Sequence, residues 1–161
     1  MKFGQLQGTE VVSLADASKL GSVDDVLLDR SKQQVLGLRI KRGGLFSGHE
    51  AVRLQDVKAI GYDAVTIEDG RKIDSENQFP EFQGSVHRDG IVGSRVMTEN
   101  GTEVGTVADI DVDFQTGAIT GYVLRAGDAT RLQHTGQLVP VSIVKTIGDK
   151  MIVVADEVIP A

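Results

Sequence analysis

The sequence holds no cysteine, which excludes disulfide frameworks, thiolate metal sites, iron–sulfur clusters and cysteine nucleophiles. Stability must therefore come from packing alone. There is no tryptophan, and the aromatic side chains are five Phe and two Tyr, few rings for stacking nucleobases. Proline occurs 3 times against 19 glycines, a balance that favours many tight turns over long helices. No run of about 18 apolar residues exists, and the opening MKFGQLQGTE lacks the apolar core of a signal peptide. These absences predict a soluble, cytoplasmic chain without membrane insertion. What is present is ordinary for a globular protein: 40% hydrophobic and 25% charged residues over 161 positions, enough to exclude wholesale disorder or a coiled coil.

Charge is unevenly divided. Residues 1–72 carry 11 Lys and Arg against 10 Asp and Glu, whereas residues 73–161 carry 6 against 13, giving the net −6 of the whole. An acidic chain with so few rings argues against nucleic-acid binding except as docking to a larger ribonucleoprotein.

The strongest signal is an internal repeat. LGSVDDVLLDRSKQQVLGLRI (Leu20 to Ile40) lies without a gap over VGTVADIDVDFQTGAITGYVL (Val104 to Leu124), matching Gly21 to Gly105, Asp25 to Asp109 and Gly37 to Gly121. A second block, Val52 to Ile67, lies over Val139 to Val154 with three more residues in the preceding loop, a change that loops tolerate. Two homologous units follow, residues 1–72 and 90–161, joined by a linker over 73–89.

Within each unit the apolar period is two. Ile110, Val112 and Phe114 alternate with Asp109, Asp111 and Asp113, as a strand with one buried face requires, and the same register points Val26 and Leu28 inward. The next strands are Val35 to Ile40 and Ile119 to Leu124, each completing a hairpin. Val11 to Leu14 and Val96 to Thr98 precede them. Short strands at Val52–Leu54 and Val139–Val141 lead into helical turns over Gln55–Lys58 and Ser142–Lys145, and Ala64–Ile67 and Met151–Val154 close the units. So many short strands in so few residues bury most when closed into a small barrel.

Gly21-x-Val23-x-Asp25-Val26, Asp29, Val35-x-Gly37-Leu38 and Val52 to Gly61, repeated as Gly105-x-Val107-x-Asp109-Ile110, Asp113, Ile119-x-Gly121-Tyr122 and Val139-Pro140 to Gly148, resemble the PRC-barrel domain twice over. The resemblance implies an all-β fold of two small six-stranded antiparallel barrels in tandem. It also implies a docking or adaptor role, as in the cytoplasmic part of the photosynthetic reaction-centre H subunit and the C-terminal domain of the ribosome maturation factor RimM.

Chemistry-bearing motifs are sparse. Asp109, Asp111 and Asp113 have the spacing of a calcium loop, but Phe114 stands where Gly is needed and Thr120 where Glu is needed, so a solvated strand is expected. His49, His87 and His134 are far apart and read as surface residues, Ser47, Ser85 and Ser94 lie outside any nucleophile elbow, and no metal, cofactor or catalytic residue is expected. The one basic, glycine-rich stretch runs from Lys41 to His49. Arg39, Lys41, Arg42, Gly43, Gly44, Arg53 and Lys58 are the candidate partner-binding residues, suited to an acidic partner. The expected function is a non-catalytic protein-interaction or adaptor module that docks a protein partner or a second copy of the chain. The alternative is a RimM-like accessory factor in ribosome or RNA maturation; a third is a small ligand held in the cleft between the barrels.

Overall fold

A computed structural model of the protein describes residues 1–29, 31, 33–43, 48–125 and 136–156. The fold is all-β. In the first unit β1 (Glu10–Ser13), β2 (Ser18–Asp29), β3 (Gln34–Lys41), β4 (Glu50–Arg53), β5 (Val57–Ile60) and β6 (Ala64–Ile67) pair in the order β5-β6-β1-β2-β3-β4. Two short strands follow, β7 (Asp74–Ser75) on β4 and β8 (Val86–His87) on β2. The second unit repeats the plan with β9 (Arg95–Thr98), β10 (Glu103–Asp113), β11 (Ala118–Arg125), β12 (Leu138–Pro140), β13 (Val144–Ile147) and β14 (Met151–Val154), ordered β13-β14-β9-β10-β11-β12.

The repeat is kept to the hydrogen bond. Val26 faces Leu38 and Leu27 faces Gly37 across β2 and β3; Ile110 faces Tyr122 and Asp111 faces Gly121 across β10 and β11. The bulges recur too, between Val23 and Asp25 and between Val107 and Asp109. Gly37 and Gly121 explain the shared glycine. A Cβ on Gly121 would come within 2.6 Å of the Val139 carbonyl, and one on Gly37 would strike the Val52 carbonyl and sit 2.6 Å from the Phe82 ring. Strand β12, like β4, can close on its neighbour only where that position has no side chain.

Three expectations need correction. Pairing is not antiparallel throughout: β1 and β6 run parallel, as do β9 and β14, because the chain returns to the first strand of each unit from the far side after the β5–β6 and β13–β14 hairpins. The helical turns are shorter than expected, 3-10 turns at Leu54–Asp56 and Val141–Ile143, so Lys58 and Lys145 lie in strands β5 and β13. The ladder of each unit stays open among the described residues, since those turns, and no hydrogen-bonded pairing, link β4 to β5 and β12 to β13.

The units exchange their entering segments. Two helices of one turn, α1 (Phe3–Leu6) and α2 (Arg88–Ile91), stand at equivalent places ahead of β1 and β9. The residues before α2 form β8 and pair with β2 of the first unit, Leu27 with His87 and Leu28 with Val86. The residues before α1 do the reverse: Lys2 bridges Asp111, and the Val112 amide donates to the Met1 carbonyl at 2.9 Å. Between the two hairpin tips Val35 N–H donates to Gly117 O (2.7 Å) and Ile119 N–H to Gln33 O (3.0 Å), a reciprocal pair that marks an approximate twofold. Tyr122 reaches from β11 to donate to Gln33 Oε1 at 3.0 Å, and burial pushes its hydroxyl up to about 12. Accordingly one hydrophobic cluster runs through both units, from Val26, Leu28 and Leu38 to Ile110, Val112 and Tyr122.

Candidate functional site

Of the expected cationic cluster, Arg39, Lys41, Arg53 and Lys58 lie on strands β3, β4 and β5 of the first unit and Arg42 and Gly43 just beyond β3, and these members meet different fates. Arg39 is largely buried and donates through Nε and Nη2 to Glu76 (3.0 and 3.2 Å), with His87 Nε2 2.5 Å from Nη2. Burial draws the Glu76 carboxyl upward, yet the hydrogen bond with His87 and the charge and hydrogen bonds of Arg39 outweigh it, and the group is held below its ordinary range. His87 is thus no free surface histidine. Arg53 is paired with Glu81 and stands over the Phe79 ring, 4.8 Å from its centre. Arg42 binds Glu50 and the Leu20 carbonyl. Lys41 at the end of β3 and Lys58 in β5 are exposed, and Gly43 faces open space. Gly44 lies outside the described residues, as do most of the Ala126–Gly136 loop and His134.

The acidic residues that meet Arg39 and Arg53 come from the linker. Residues 74–87 form a strap on the outside of the first unit: β7 pairs with β4, two 3-10 turns (Glu76–Gln78 and Pro80–Phe82) follow, and β8 pairs with β2. Phe79 and Phe82, 4.8 Å apart between ring centres, are buried on Leu27, Ala51 and Leu36 as a second, smaller hydrophobic cluster. The sequence signal was present in Phe79, Phe82 and Leu27, but nothing in periodicity says that a polar-looking linker folds back on the outer face of a strand pair.

Beside the strap a groove of about 1290 Å³ opens between the units. Its floor and walls include Leu54, Val57 and Ile60 from one unit and Val112 and Phe114 from the other, with Lys58, Glu81 and Asp113 at its margin. Phe114, expected inside the second unit, follows the last residue of β10 and turns into this groove. Strand β5 ends the pairing path, so its outer edge meets no further strand among the described residues. At the equivalent place in the other half, Val144 to Ile147 face Asp29, Gln33 and Gly84, and the space shrinks to about 370 Å³.

The Asp series of β10 does local work. Asp109 accepts from the amides of Ile110 and Gly4 and from Arg88 Nε (2.9 Å), Asp111 accepts from Thr120 and pairs with the terminal ammonium, and Asp113 caps its own turn. No group of three or more metal-ligating residues is gathered among the described residues. No helix among them is long and apolar enough to cross a membrane.

An all-β chain whose two halves repeat one order of strand pairing, with polar residues spent on turns and ion pairs, defines a tandem-repeat β protein. The chain belongs to the PRC-barrel domain family, whose model matches residues 1–73 and again 85–158. No curated protein matches it.

Proposed function

We propose that this protein is a non-catalytic interaction module of the cytoplasm, two small PRC barrels held as one body that docks a protein partner. The observation that carries this reading is the groove between the units, bordered by the unpaired edge of β5. An edge strand offers a row of backbone donors and acceptors to an added strand, and Leu54, Val57, Ile60 and Phe114 offer the apolar contacts that would give such an addition affinity. Family membership agrees, since PRC barrels serve generally as docking surfaces and not as catalysts. An accessory role in ribosome or RNA maturation draws less support, because Arg39 and Arg53 are neutralised by Glu76 and Glu81 and leave fewer cations for phosphate.

The test is affinity capture from native extract by the wild type and by an Ile60→Glu/Phe114→Glu variant, each with and without nuclease. A protein recovered by the wild type, resistant to nuclease and lost from the variant supports the reading. Recovery that nuclease abolishes, or that the variant retains, overturns it.

A further inference from the structure

We propose that the outer face of β2, β3 and β4 in the first unit is a binding site for an acidic, phenylalanine-bearing peptide segment of a partner protein, held in this structure by the chain's own strap. The strap displays the ligand chemistry. Glu76 lies against Arg39, Glu81 against Arg53, and Phe79 and Phe82 fill the apolar surface between those two arginines, with Arg53 stacked on Phe79. Two strands of two residues and two 3-10 turns hold the strap down. Lifting it would break few backbone bonds while uncovering a face that is apolar at the centre and cationic at the rim, the pattern of a peptide-docking surface.

The second unit serves as an internal comparison. It keeps the backbone of that face but places Asp111 where the first has Leu27, Thr120 for Leu36, Val123 for Arg39 and Pro140 for Arg53. Among the described residues no acidic, aromatic segment crosses it, and Met1 and Lys2 alone pair along its β10 edge. The apolar centre and both arginines thus belong to the first unit alone, and they coincide with the presence of the acidic, aromatic strap. Because the strap is tethered, its local concentration is of order millimolar, so an outside segment must compete with it.

The test uses a fluorescein-labelled peptide of residues 74–84, DSENQFPEFQG, followed by fluorescence anisotropy. The full chain with Phe79→Ala and Phe82→Ala, which weakens the strap, is expected to bind the peptide at least tenfold more tightly than the wild type. Binding should weaken as salt is raised, and adding Arg53→Glu should lower it a further tenfold. A variant that is folded by circular dichroism yet fails to bind, or whose binding ignores Arg53→Glu, overturns the proposal. If the variant does not fold, native-state hydrogen exchange of the wild type decides: amides of 74–87 exchanging at least tenfold faster than those of β10 show a strap that opens on a folded protein, whereas exchange of both only at the global rate overturns it. The site shares Arg53 and Glu81 with the margin of the groove, but because the peptide readout involves no cellular partner and Ile60 and Phe114 belong to the groove alone, failure of one reading leaves the other standing.

Discussion

Asp25 carries its carboxyl into the protein at 4% exposure, where Oδ1 accepts from the amides of Val26 and Arg88. Burial raises it above its ordinary 3.8, with nearby Asp89 adding to the rise and the amide donors opposing it. A carboxyl raised by folding binds its proton more tightly in the native state. Its contribution to stability is complete below 3.8 and is lost as pH climbs through the raised native value. Asp25→Asn keeps the acceptor oxygen and removes the buried charge, so the variant should match the wild type near pH 4 and exceed its melting temperature near pH 7. Thermal melts at the two pH values check this, and a gain that is equal at both, or absent at neutral pH, sinks it. Glu76 has the opposite sense: held low by His87 and Arg39, it stabilises above its ordinary range and is lost as pH falls through its native value. A neutral Gln there should therefore cost most near pH 7 and least in acid, measured the same way.

The strap shows at the level of an element what period and composition do and do not disclose. Phe82 is buried on Leu27 and Ala51 and touches the position of Gly37, so Phe82→Ala is expected to cost about 3 kcal/mol, as for an aromatic removed from a packed site. Urea unfolding measures it, and a loss below about 1 kcal/mol would mean the strap is loosely held. The strands of both units could be read from alternation because one face of each is buried: Ile110 and Val112 are inside, and Asp111 and Asp113 are not. That logic fails where a second layer covers the outer face, and so β2 is buried on both sides from Val26 to Leu28. It fails again at the bulges, which turn Asp25 inward although its neighbours in sequence predict solvent. Arg39 and Arg53 were legible as cations suited to an acidic partner, but charge summed along the chain does not reveal that Glu76 and Glu81 reach them first. A cleft between the units was expected from the repeat, but not its walls, since these come from residues far apart in sequence that only the exchange of segments brings together.

At the scale of the molecule, that exchange decides whether two repeats make two domains. Each unit lends the other a segment: β8 pairs with β2, and Lys2 bridges Asp111 in β10. Arg88 binds both halves at once, its amide donating to Asp25 at 3.1 Å and its guanidinium to Asp109 at 2.9 Å while lying over Phe3, 5.2 Å from the ring centre. With the hydrophobic cluster continuous across the twofold, neither unit retains a full set of partners when the other unfolds, and the two should melt in a single transition. Arg88→Ala removes a charge-assisted hydrogen bond at a site where both side chains are about 15% exposed, a loss of about 2 kcal/mol. The variant should shift that one transition downward and leave it single, because Val35, Gly117, Gln33 and Ile119 still couple the halves through their reciprocal hydrogen bonds. Scanning calorimetry of both proteins is the measurement. Equal calorimetric and van't Hoff enthalpies are expected in each, and two resolved transitions in the wild type would show that the repeats behave as separate domains despite the shared strands.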